Sequence, residues 1–277
     1  MRHPGLAVRM AIAGSILFAF YLLVAIAMFT AGIPLEFVAL ITIGFVVFQW
    51  KFGKWAALRS VGARDVSEEE APQLHRMVES LSRRMDVPEP RVMVADMGAP
   101  NAFAIGRRNK GTVVVATELI QVLDDRELEG VLAHELAHIR NRDVVMMVLG
   151  QSIASLVGIV VTYAMLFGGR RNIGAYFLAW IAGSLAQMLV MVFVLAISRY
   201  REYVADADAA DAIGAGDPLA RALEKIQRSN QRVEQTRIDD NIAALCIFDR
   251  PHGLLRSVFS THPPVEKRIE RLRYGVS

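Results

Sequence analysis

Residues 124–139 read Asp124-Asp125-Arg126-Glu127-Leu128-Glu129-Gly130-Val131-Leu132-Ala133-His134-Glu135-Leu136-Ala137-His138-Ile139. Asp124, with Glu127 three residues on, has the spacing of a reciprocal helix cap. Leu128, Val131, Leu132, Leu136 and Ile139 then recur at helical spacing and predict one buried face. Inside that helix, His134-Glu135-Leu136-Ala137-His138 sets two histidines four residues apart. Four residues turn an α-helix by about 400°, so both imidazoles leave from one face, one turn apart. One tetrahedral zinc ion can take both. Glu135 is offset from His138 by about 60° and leans toward the position left for water, whose proton it can accept. A chance match in a chain of this length is on the order of one in a hundred. The bland alternative is a surface helix with two solvated histidines.

Composition narrows the chemistry. The single cysteine, Cys246, excludes an intrachain disulfide and any cysteine-rich metal site, so a metal must rely on histidine and carboxylate. A net charge of +3, without a basic stripe, argues against a nucleic-acid partner. Apolar residues make up 53% of the chain, and their clustering decides the architecture. Four stretches, residues 10–31, 33–50, 144–167 and 175–197, have about the 20 residues that cross a bilayer as a helix. A cleaved signal peptide is the alternative for the first, because Arg2 and Arg9 precede it. It exceeds the usual signal core, however, and a second apolar stretch follows at once. A buried helical pair in a soluble protein is the alternative for the third and fourth; their lack of any charge argues against it.

The spans divide the chain into residues 1–50 with two transmembrane helices, a polar block 51–143 with the His134 helix, a transmembrane hairpin 144–197, and a second polar block 198–277. An even number of spans puts both blocks and both termini on one side. Lys51, Lys54, Arg59, Arg64, Arg199 and Arg201 make that side cytoplasmic by the positive-inside rule, against Arg170 and Arg171 in the opposite loop. In the first block, Ser67 and Glu70 read as a capping box opening a helix faced by Leu74, Met77, Val78 and Leu81. His75 beside that stripe reads as an ordinary helix residue. Short strands are expected at 91–95, 102–105 and 112–116. No proline interrupts the helical pattern between Ile139 and the third span. Segment 229–241 reads equally as a mobile flap or a linker.

Catalytic zinc takes three protein ligands and leaves one position for water. Ile139-Arg140-Asn141-Arg142 after His138 is not a third-histidine extension, so the remaining ligand lies elsewhere. His138 precedes the third span by roughly 9 Å of helix, and Glu202 follows the fourth by roughly 7.5 Å. An antiparallel hairpin of spans brings both to nearly equal height and makes Glu202 the natural third ligand. Asp206, one helical turn later, is placed to accept the other N–H of a liganding histidine. An ordinary charged face at the membrane exit is the alternative for both.

Four stretches carry a resemblance to a known family. They are Pro100-Asn101-Ala102-Phe103-Ala104, the His134–His138 helix, Ser198-Arg199-Tyr200-Arg201-Glu202-Tyr203-Val204-Ala205-Asp206, and Ser260-Thr261-His262-Pro263-Pro264. Together they resemble the HtpX-type membrane metallopeptidases, distant relatives of the CAAX prenyl endopeptidases, over nearly the whole chain. The prenyl endopeptidases carry more spans, so four fit the HtpX side better. The resemblance implies a mostly α fold: four transmembrane helices plus a zincin-like (gluzincin) catalytic domain with a small β-sheet. It also implies one zinc ion per chain, endopeptidase activity toward membrane or misfolded proteins, and a bacterial inner-membrane setting. On the same likeness, Asn101 is expected at a sheet edge where backbone can pair with an extended substrate. A turn asparagine after proline is the equal alternative. His262 is expected to stabilise the oxyanion, with Arg268 accompanying it in substrate binding. Pro263 and Pro264 suit a plain helix start equally well.

The combined expectation is a multi-pass zinc endopeptidase of the cytoplasmic membrane, with Glu135 as general base and proteins or peptides as substrates. Self-cleavage is expected, because the site faces the chain's own polar loops. Two other classes bear on the reading. A sensor-protease cutting one repressor needs an extracytoplasmic sensing domain, for which the short loops leave no room. A non-catalytic metal-binding scaffold predicts ligands inside the spans, whereas these lie just outside them.

Overall fold

The computed structural model describes residues 35–167, 172–232 and 262–275. The expected first span, the loop with Arg170 and Arg171, and residues 233–241 of the flap-or-linker segment lie outside the described residues. The elements are α1 (Leu35–Ser60), β1 (Arg64–Asp65), α2 (Pro72–Met85), β2 (Arg91–Ala95), β3 (Ala102–Arg107), β4 (Lys110–Ala116), α3 (Thr117–Val122), α4 (Asp125–Asn141), α5 (Asp143–Phe167), α6 (Ile173–Ile213), α7 (Asp217–Arg232) and α8 (Val265–Tyr274). Two compact units divide them. One joins Met1–Gly53 to Met146–Ile197, the other Lys54–Val145 to Ser198–Ser277.

The first unit is built on long apolar helices. Among the described residues, two helices are long and apolar enough to cross a bilayer, over Asp143–Leu166 and Ile173–Ile213. Ile159, Tyr163, Leu178, Trp180 and Leu189 point outward from them, the reverse of a soluble core. Where these two helices face each other the contact is close. A Cβ on Gly183 would stand 1.9 Å from Thr162 Oγ1 and 2.4 Å from the Gly158 carbonyl oxygen, so glycine is what the crossing admits. The second expected span falls in α1, which runs on through Ser60 and stops where Gly62 takes a left-handed φ of 62°.

The second unit packs helices on one small mixed sheet, strand order β1-β2-β4-β3. β2 and β4 are parallel, in register Met93↔Val114, while β3 is antiparallel to β4, with Phe103↔Val114. The three expected strands form; β3 and β4 extend two residues further toward their shared turn, and the two-residue β1 adds an edge that no periodicity could announce. Helix α4 lies against α2, β3 and α7, with Val131, Leu132 and Leu136 wholly buried.

Two local expectations change. Ser67 and Glu70 do exchange the reciprocal backbone bonds of a capping box, but they close a turn and α2 begins only at Pro72. Proline forces Ala71 out of helical geometry (φ −138°, ψ 63°) and itself suits the first helical turn. The helical pattern after Ile139 is likewise interrupted. α4 ends at Asn141, Arg142 turns left-handed at φ 59°, and α5 starts at Asp143. In contrast α6 continues without interruption from Ile173 to Ile213, because no glycine or proline occurs between Gly183 and Gly214.

Candidate active site

The Asp124–Glu127 cap forms as its spacing predicts. Asp124 Oδ1 accepts from the Glu127 N–H at 2.9 Å, and Glu127 Oε2 accepts from the Asp124 N–H at 2.9 Å. Glu127 is buried and also receives Lys225 Nζ from α7 at 2.6 Å, so the cap ties α4 to its neighbour. From this anchored start, two further turns bring His134, Glu135 and His138 to the interior of the second unit.

His134 Nε2 and His138 Nε2 face each other at 3.1 Å. Glu202, from α6, brings Oε1 to 3.4 Å from His138 Nε2 and Oε2 to 3.5 Å from His134 Nε2. Tetrahedral zinc with bonds of about 2.0–2.1 Å sets its ligand atoms about 3.3 Å apart. The separations therefore suit that ion. So does the chemistry of the donors. His134 Nδ1 lies 3.0 Å from Asp206 Oδ1, and His138 Nδ1 lies 2.5 Å from Asp143 Oδ2. Ionised carboxylates only accept, so each Nδ1 carries a hydrogen, and each ring in its neutral form turns an Nε2 lone pair toward the Glu202 carboxylate. Three converging lone-pair donors call for a cation. Among the described residues, His134, His138 and Glu202 form a cluster that could hold a metal ion, their ligand atoms all lying within 4.8 Å of one another.

The carboxylates around the rings favour positive charge in the cluster, as a proton or as a metal ion. By protein groups alone, burial and the Arg268 guanidinium pull the His134 pKa down, but Asp206 and Glu202 outweigh them and raise it to about 9. His138 also moves up: burial opposes, and the Glu202 and Asp143 carboxylates prevail. Glu202 is held well below the usual carboxylate range, because His262, Arg268 and His138 overcome the effect of its burial. Glu135 moves the other way, raised chiefly by burial, against the pull of His138 and His134.

The other expected site residues divide by depth. Asp206 lies beside His134, its Oδ1 3.0 Å from Nδ1. His262 Nδ1 lies 3.0 Å from Glu202 Oε2, at the edge of the cluster. Asn101 is buried immediately before β3, with its Oδ1 accepting from the Ala102 N–H at 2.9 Å and its carbonyl accepting from the Ala116 N–H at 2.8 Å. β3 is the last strand of the sheet order and adjoins α4. Arg268, expected to accompany His262 in substrate binding, is 0% exposed. It donates to both Asp206 oxygens and lies 3.2 Å from Glu202 Oε2. Sequence reasoning missed Asp143 and Arg201. Arg201 is 2% exposed and forms an ion pair with Asp143. No periodic signal could have found them, because their meeting depends on the interruption at Arg142.

Comparison with known proteins agrees with this geometry. The model of Peptidase family M48 matches residues 68–276. The chain is 53% identical to a Halobacterium salinarum protein named "Protease HtpX homolog", over 95% of this chain and 100% of that one. It is 37% identical to "Protease HtpX homolog 2" of Methanosarcina acetivorans, over 94% and 93%, and 39% identical to a Burkholderia mallei "Protease HtpX homolog", over 84% of each. In fold it is similar to the crystal structure of S. mikatae Ste24p, with a TM-score of 0.63 at 18% identity, covering 96% of this chain and 64% of that one. Because the family match runs through both helices that build the cluster, and full-length relatives are proteases, the chain belongs to peptidase family M48 and is a metallopeptidase.

Proposed function

We propose that the chain is a membrane-embedded zinc endopeptidase acting on misfolded or membrane proteins, with His134, His138 and Glu202 holding one zinc ion per chain. The observation that carries this reading is the approach of two imidazole nitrogens and one carboxylate within 3.1–3.5 Å, beside a buried glutamate on the same helical turn. When bound, zinc supplies Lewis-acid activation of water and of the peptide carbonyl.

The protein's own groups do the rest. Glu135 takes the proton from the attacking water and delivers it to the departing amide nitrogen. Burial raises its pKa, which strengthens it as the base that takes the water proton. Asp206 keeps His134 in the tautomer that turns Nε2 inward. Arg268 acts by holding Asp206 and Glu202 in place, in keeping with its burial. His262, beside Glu202, is assigned to the developing oxyanion. The outer edge of β3, beginning next to Asn101, is assigned to an extended substrate, whose backbone would pair there as an added strand.

We place the enzyme in the cytoplasmic membrane with four spans, residues 1–50 and 144–197, and a catalytic domain made of 51–143 and 198–277 facing the cytoplasm with both termini. The outward apolar side chains of α5 and α6 support the membrane setting. Orientation rests on Lys51, Lys54, Arg59, Arg64, Arg199 and Arg201, against Arg170 and Arg171 in the opposite loop. A site of this kind near a membrane suits quality control under stress, and self-cleavage during purification. The test is cleavage of an unfolded protein substrate by the purified enzyme. Glu135→Ala is expected to keep one zinc per chain and lose cleavage; undiminished activity in that variant overturns the mechanism.

A further inference from the structure

We propose that Asp143 is a positioning residue for His138, clamped in turn by Arg201, so that each liganding histidine is held by its own carboxylate–guanidinium pair. The inference rests on the zinc reading above. His134 is backed by Asp206, which Arg268 grips with two nitrogens. His138 has the matching arrangement. Its Nδ1 lies 2.5 Å from Asp143 Oδ2, and Arg201 pairs with the other Asp143 oxygen while donating to the Asn141 carbonyl at 2.8 Å. All of these side chains are buried or nearly so, where water cannot substitute for a lost partner.

Backbone geometry argues that this contact is built, not incidental. Along an unbroken helix, five residues turn about 500°, which would leave Asp143 some 140° around the axis from His138 and out of reach. The left-handed Arg142 (φ 59°, ψ 37°) folds the chain so that Asp143 returns to the ring. An arginine seldom adopts that conformation, and such strain persists only where the surroundings enforce it. Arg201 and Glu202 are neighbours on α6, so one turn of that helix supplies both the third ligand and the clamp on the second ligand's partner.

The experiment measures zinc affinity of the detergent-solubilised full chain by competition with a chromophoric chelator, and records the d–d bands of the cobalt-loaded protein. Asp143→Asn keeps the shape but removes the charge. Asp143→Ala combined with Arg201→Met removes the pair together, leaving no lone buried arginine. Both are expected to bind zinc 10–100-fold more weakly, with weakened and shifted cobalt bands. Asp208→Asn is the control. Asp208 receives Asn141 Nδ2 at 2.9 Å and Arg140 at 3.5 Å on the same pair of helices, away from the ligand atoms. Its zinc affinity is expected to equal the parent's. Affinities within twofold of the parent in the Asp143 variants, or equal weakening in Asp208→Asn, overturn the proposal. A parent chain that binds no zinc overturns the zinc reading itself, a distinguishable result.

Discussion

Arg268 grips both oxygens of Asp206, at 2.8 and 2.7 Å, across 62 residues of sequence and with none of its surface exposed. That pair lies directly behind His134, whose Nδ1 reaches the same Asp206 oxygen at 3.0 Å. α8 thereby reaches the His134–His138–Glu202 cluster without being one of its three members.

Arg268→Met should therefore do more than loosen a surface. It leaves the buried Asp206 and Glu202 carboxylates without their guanidinium, a loss of about 3–5 kcal/mol. Thermal unfolding should show a large drop in midpoint, and metal analysis substoichiometric zinc. Arg268→Lys should rescue only in part, because a single ammonium cannot grip both oxygens. A variant as stable and as metal-rich as the parent would falsify this role.

The α4 cap makes a smaller, pH-dependent contribution. Asp124→Ala should destabilise by about 1 kcal/mol. Asp124 has its pKa lowered chiefly by the backbone N–H of Glu127. Its stabilisation is therefore complete above the unfolded-state value of about 3.9 and fades as pH falls through the lower folded-state value. Unfolding midpoints of parent and variant should differ at neutral pH and converge in strong acid. A gap that widens in acid would contradict the assignment.

Gly183→Ala tests the crossing of α5 and α6. Alanine gains up to about 1 kcal/mol of helix propensity. Its Cβ would nevertheless meet the Gly158 carbonyl at 2.4 Å, and a backbone atom yields only if the helices part. Overpacking of this sort costs about 1–3 kcal/mol, so a net loss is expected in detergent unfolding experiments. A more stable variant would show that the helices do not approach as closely as described.

Chelation should abolish peptide cleavage and lower the unfolding midpoint together, with one equivalent of zinc restoring both. Ligand bound only to the native state stabilises by RT ln(1 + [L]/Kd), about 2.7 kcal/mol at a hundredfold excess over Kd. Activity that survives full removal of metal would exclude the mechanism proposed for Glu135.

How much of this was legible in the chain depended on the range of the interaction. His134, Glu135 and His138 could be read directly, because spacing on one helix decides which side chains share a face. The Asp124 cap was equally local. Glu202 came from counting residues beyond two apolar stretches, and it lies beside the histidines although the helix on the His138 side is interrupted at Arg142. That interruption hid Asp143. Ser67 misled for a related reason: its capping bonds form, but Pro72 decides where the helix begins.

By itself, then, the amino-acid order determined the apolar stretches, the helix with its two histidines and glutamate, and the strands around Phe103 and Val114. Each of these follows from the repeat of neighbouring residues along one element. Only tertiary structure decided that Asp143 turns back onto His138, that Arg201 clamps it, and that Arg268 lies buried behind Asp206. These are contacts between elements, and a buried charge takes whichever partner packing brings within reach, however far away it lies in the chain.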